Sequence, residues 1–166
     1  MIAFPLKVVG NRLPHEVGLQ ARVILRLQDK QRNYRRTEFI LDTGSSVSQM
    51  SAGLAEEIGL RLPSETRDVG VMTASGKQTR RGRYGLIVVR FAEHPERLFA
   101  WDCWFLDDWP EELPPLLGLG GRVLNDLSIT FAGSRVGFPN GTVTLEIVSP
   151  PLTQSTPESA HPTEPA

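Results

Sequence analysis

Phe39-Ile40-Leu41-Asp42-Thr43-Gly44-Ser45-Ser46 is a short apolar run that ends in a carboxylate, a hydroxyl residue and a glycine. A run of this kind reads as a buried strand. A carboxylate at the end of a buried strand is costly unless its surroundings manage it. Gly44 lets the backbone turn tightly or approach another group closely. Thr43, Ser45 and Ser46 bring hydroxyls within reach of the carboxylate. The stretch presents one acid group rigidly, where a second group can meet it.

Upstream, Val23, Leu25 and Leu27 alternate with Arg22, Ile24 and Arg26, the signature of a half-buried strand. Asp29 to Asn33 form a polar turn, and Tyr34 to Leu41 return as the second arm of a hairpin that delivers Asp42. Leu6-Lys7-Val8-Val9 suit an outer strand. Downstream, Ser51 is an N-cap candidate for a short helix with Leu54 and Ile58 on one face and Gly59 at its stop. Val69 to Ala74, a Ser75-Gly76 turn and Gln78 to Phe91 read as a long hairpin. Leu98 to Leu106 is a strand with Trp101, Cys103 and Phe105 on one face and Asp102, Trp104 and Leu106 on the other. An acidic loop from Asp107 to Pro115 leads into Leu116-Leu117-Gly118, a short buried strand. Strands at 127–131, 135–138 and 142–148 follow, the last two joined by an Asn140-Gly141 turn.

Three of these pieces together resemble the retropepsin-like aspartic protease family, the single-domain branch typified by retroviral proteases. Asp42-Thr43-Gly44-Ser45 is similar to its Asp-Thr/Ser-Gly signature. Leu116-Leu117-Gly118 followed by Arg122-Val123-Leu124 is similar to its hydrophobic-hydrophobic-Gly element, which leads into a short helix at Arg122 to Asp126. Val71-Met72-Thr73-Ala74-Ser75-Gly76 resembles its substrate-covering flap. All three occur in the family's order, and the resemblance spans about residues 17 to 147.

The resemblance implies an all-β, closed acid-protease barrel with one or two short helices. It also implies an aspartic endopeptidase that cleaves extended polypeptides with water as nucleophile, needing neither metal nor other cofactor. Such chemistry requires two carboxylates, and this sequence holds one Asp-Thr-Gly. Asp107-Asp108 and Asp126 lack the Thr/Ser-Gly that follows the motif's aspartate. A homodimer is therefore implied, with Asp42 of each protomer meeting at a two-fold axis. Thr43 would brace the pair across that axis, and Gly44 would permit the close approach. A Ser45 hydroxyl on the outer carboxylate oxygen would favour ionisation. Thr73, Ala74, Ser75 and Gly76 would close over the substrate, which adds as a strand. The alternatives are a non-catalytic peptide-binding or dimerisation module, and a latent protease that is monomeric until concentrated.

Composition sets the frame. The 166 residues suffice for one core, and 40% apolar with 22% charged residues fit a globular domain. The net charge is −1, which gives no general attraction to nucleic acid or to an anionic membrane. No apolar run is long enough for a transmembrane helix, and the start lacks the pattern of a signal peptide. The one cysteine, Cys103, excludes an internal disulfide, and the setting expected is reducing and cytoplasmic. With His15, His94 and His161 scattered, neither a zinc site nor a Cys-His pair is expected. Residues 1–148 read as the domain. Residues 149–166, five of them proline, read as a disordered tail. Arg80-Arg81-Gly82-Arg83 is by default a solvated strand face, the sharper reading being a preference for acidic substrates or partners. The basic Lys30 to Arg36 hairpin around Tyr34 lacks a nucleic-acid-binding module.

Overall fold

A computed structural model describes residues 1–10, 17–73, 76–110, 112–120, 122–133 and 141–148. The sequence readings of a strand at 135–138, of Asn140 in a turn and of the tail at 149–166 lie outside these residues, as do Ala74 and Ser75 of the flap.

The alternating segments become the strands β1 (Ile2–Gly10), β2 (Val17–Gln28) and β3 (Tyr34–Asp42). The inward row of β2, Val23, Leu25 and Leu27, is fully buried and opposes Phe39, Thr37 and Arg35 of β3 in antiparallel register. The turn between them closes on Asp29. Its buried carboxylate accepts hydrogen bonds from the backbone N–H groups of Gln31 at 2.9 Å and Asn33 at 2.8 Å. This satisfies an acid that burial would otherwise penalise.

A four-residue strand, β4 (Ser48–Ser51), runs directly into helix α1 (Ala52–Glu57). The Ser51 hydroxyl caps α1 by accepting from the Leu54 N–H at 3.3 Å, as its sequence position suggests. Ala52 and Ala55 face the core directly, and Leu54 and Ile58 pack half-buried at its margin. Next come β5 (Arg67–Thr73), β6 (Gly76–Arg90), β7 (Phe99–Leu106), β8 (Leu116–Gly118), helix α2 (Arg122–Asp126), β9 (Leu127–Gly133) and β10 (Gly141–Ile147).

The fold is all-β with two short helices. Following the ladders, β6-β7-β4-β8-β3-β2 return to β6 and close a ring. Closure removes the unpaired edges that an open sheet would present. Strand β5 hangs from β6 as the second arm of a hairpin, and β1-β10-β9 extends from β2. Inside the ring, Phe91 meets Phe99 edge-on at 5.9 Å, and Phe99 stacks on Trp101 at 5.3 Å. Trp101 is fully buried, and its indole N–H donates to Asp126 Oδ2 at 2.8 Å, tying α2 to β7. No helix among the described residues is long and apolar enough to cross a membrane.

Candidate active site

Strand β3 ends at Asp42, and its last three residues pair in parallel with β8: Ile40 with Leu116, Leu41 with Leu117, Asp42 with Gly118. Two buried segments distant in sequence thus fix the position of one carboxylate. Beyond Asp42 the chain turns back on itself. The Gly44 N–H donates to Asp42 Oδ1 at 2.9 Å, and the Ser45 N–H donates to the Asp42 carbonyl at 3.3 Å. A ladder-like bond from the Leu119 N–H to the Ser45 carbonyl, 2.8 Å, holds the loop to the end of β8.

The glycines at the end of β8 and just beyond it are needed for this contact. A Cβ on Gly118 would lie 2.4 Å from the Val47 carbonyl carbon, and one on Gly120 would lie 2.0 Å from the Ser46 oxygen. Both obstacles are backbone and cannot swing aside. The buried Gly118 N–H reaches the Ser48 hydroxyl at 3.3 Å. The Leu-Leu-Gly element is therefore the clamp that seats the Asp42 loop.

At the apex, Asp42 is half-buried while Thr43, Gly44 and Ser46 are exposed. Ser45 does not take the place its hydroxyl was expected to have. It donates to the Val47 carbonyl at 2.7 Å and accepts from the Gln49 side-chain amide at 3.2 Å. A hydroxyl has a single proton, so Ser45 stiffens the loop and has none left to donate to the Asp42 carboxylate.

Asp42, Gly44 and Ser45 line a cleft of about 510 Å³. The stem of the β5–β6 hairpin, Val69 to Val71, lines it as well, together with Trp104, Trp109 and Leu113. The hairpin predicted as a flap is thus present, paired from Arg67–Gly82 to Thr73–Gly76. Gly76 has φ +110°, a conformation L side chains rarely adopt.

Sequence reading missed several lining residues. Trp104 lies opposite the buried Trp101 in the alternation of β7, so its outward face was legible but its cleft was not. Its ring centroid lies 5.2 Å from that of Tyr84. Trp109 is set by a bond from its indole N–H to the Leu113 carbonyl, 2.7 Å, within an irregular loop that no periodicity marks. Ser46, Gln49 and Arg80 complete the polar part of the lining.

The other candidates lie apart from this arrangement. Asp126 is taken up by Trp101, and Asp108 stands 3.8 Å from Arg80. Over the basic hairpin, the guanidinium of Arg90 at the end of β6 sits 3.4 Å from the centre of the Tyr34 ring, a cation–π contact. Cys103 is fully buried, and desolvation pushes its thiol far above the usual range, with the neighbouring Asp102 adding to the shift. Nucleophilicity resides in the thiolate. Native protein at pH 8 is therefore expected to resist iodoacetamide for hours and to alkylate within minutes in denaturant. Labelling at equal rates in both states would contradict this burial.

The family model for gag-polyprotein putative aspartyl protease matches residues 29–121. The matched segment contains Asp42, the β5–β6 hairpin and the Leu116-Leu117-Gly118 clamp. No curated protein matches the chain.

Proposed function

Because the chain belongs to the gag-polyprotein aspartyl protease family, we propose that it is one half of a homodimeric aspartic endopeptidase. The observation that carries the reading is the placement of Asp42. One carboxylate stands at a loop apex, accepts a hydrogen bond from the Gly44 N–H and lines a cleft of about 510 Å³. Two such loops brought together on a two-fold axis would form one site, and an isologous contact does this with a single surface.

In that site Asp42 of each protomer would share a proton. Two carboxylates that close cannot both ionise cheaply, the property for which aspartic proteases are known. The ionised member takes a proton from water as the oxygen attacks the scissile carbonyl carbon. The protonated member gives its proton to the carbonyl oxygen. In the collapse of the resulting gem-diol, the member that took the water proton gives it to the nitrogen, the other removes a hydroxyl proton as the C–N bond breaks, and the pair again holds one shared proton. Thr43 would brace the two loops across the axis. Thr73, Ala74, Ser75 and Gly76 would cover the substrate, and Ser45 would shape the loop beneath it.

The test is cleavage of a mixed peptide library between about pH 3 and 7, with oligomeric state followed by sedimentation. Below the dimer dissociation constant, each tenfold dilution is expected to lower the rate roughly a hundredfold, since dimer scales with the square of protomer concentration. A rate that stays proportional to concentration in a monomeric sample would overturn the shared site. A sedimenting dimer with no cleavage would favour a peptide-binding module.

A further inference from the structure

Arg80 is the cleft's conspicuous charge. Its side chain is only 18% exposed, among cleft neighbours that include the apolar Val69, Trp109 and Leu113. A guanidinium stays charged at any working pH, so burial on this scale demands partners. Those present are poor. Nη1 reaches the Asp108 carbonyl at 3.2 Å and the Asp108 carboxylate at 3.8 Å, and Nη2 reaches the Gln78 amide oxygen at 3.4 Å. The buried Nε–H has no partner among the described residues.

Elsewhere the same chain makes tight arginine–carboxylate contacts. Arg67 binds Glu65 through two bonds of 2.8 Å, and Arg22 meets Glu38 at 2.8 Å. Asp108, itself 59% exposed, gives Arg80 nothing comparable. A buried N–H without a partner is rare enough in folded proteins to need a reason. The Nε–H of Arg90 is likewise without a partner among the described residues, but Arg90 covers the Tyr34 ring, whereas Arg80 lines the cleft that holds Asp42.

We propose that Arg80 is a specificity-determining residue that selects polypeptides carrying Glu or Asp at one position flanking the scissile bond. This rests on the endopeptidase reading above. A carboxylate is the planar, doubly accepting group that a guanidinium fork fits best. Entering along β5, an acidic side chain would replace the long Asp108 contact with a short one and take up the unused donor edge. Arg80 sits opposite Val69 in the hairpin ladder and shares the cleft with Asp42, so the selected position belongs to the same bound strand.

The experiment pairs peptides identical except for Glu or Gln at each position from four before to four after a cleaved bond. At one position wild type is expected to favour Glu by about tenfold in kcat/KM, mainly through KM. Arg80→Gln should erase that preference, bringing the Glu-to-Gln ratio of kcat/KM at that position to about one. Arg80→Glu should transfer the preference to Lys. A merely structural Arg80 would instead slow both peptides alike, and that outcome overturns the proposal. So does equal cleavage of every Glu/Gln pair by wild type, which leaves the endopeptidase reading standing. Should wild type cleave nothing, that reading falls. Fluorescence anisotropy with labelled library peptides that differ only in Glu or Gln at one position then decides on Arg80: tighter Glu binding lost in Arg80→Gln supports it, and equal or absent binding refutes it.

Discussion

Asp42→Asn is expected to leave a folded protein whose peptidase rate is at least about 10³-fold lower, because neither acid nor base survives at the shared site. Asparagine keeps the side chain's shape and an oxygen for the Gly44 N–H, which now sits 2.9 Å from Asp42 Oδ1. The loop should therefore persist, and thermal melting and dimer affinity should stay near those of wild type. The sharper form of the experiment mixes wild-type and Asp42→Asn chains and lets them exchange. If both carboxylates serve one site, only pure wild-type dimers cleave, and an equal mixture retains roughly a quarter of the activity of an all-wild-type sample at the same total concentration. A retained half would mean that each protomer acts alone. Full activity in Asp42→Asn would remove this residue from the chemistry.

Gly118→Ala is expected to destabilise the fold by about 3 kcal/mol or more, lowering the melting temperature by about 6–12 °C. The added Cβ would lie 2.4 Å from the Val47 carbonyl carbon, 2.6 Å from its oxygen and 2.8 Å from its nitrogen. All three are backbone atoms of the segment after Asp42. Either β8 or that segment must shift, and either movement displaces the carboxylate, so activity should fall along with stability. Gly53→Ala is the control. It lies exposed within α1, where its new Cβ would come no closer than 3.4 Å, to the Ser51 hydroxyl. Alanine favours helix over glycine by roughly 1 kcal/mol, so this variant should be neutral or more stable. Equal melting temperatures for Gly118→Ala and wild type would show that the clamp is looser than its contacts indicate.

Local pattern carried much of the fold. The alternation of Val23, Leu25 and Leu27 specified a half-buried strand, and all three are fully buried. Ser51 announced a helix start through the geometry of its own side chain, and Trp101, Cys103 and Phe105 announced the buried face of β7. Strand β4 escaped notice because Ser48-Gln49-Met50-Ser51 is too short and too polar to show a period. It exists because β7 and β8 offer it partners on either side. The Arg80 run looked like a solvated strand face, yet Arg80 turns into the cleft.

The family and its candidate catalytic element are legible along the chain alone. Asp42-Thr43-Gly44, the flap-like hairpin and Leu116-Leu117-Gly118 are local signatures, each written in adjacent residues whose backbone or side-chain chemistry is particular to the job. The tertiary structure decided which surfaces those elements share. Asp42 meets Gly118 through a parallel pairing between distant segments, and parallel register leaves no trace in either strand's own pattern. The Ser45 hydroxyl turned to Val47 because the loop folds back under the clamp. Trp104, Trp109 and Arg80 became cleft residues because ring closure brings β7, its following loop and β6 around Asp42. Side-chain type can be read along a chain, but whether a half-buried face borders solvent or a cleft depends on what packs opposite it.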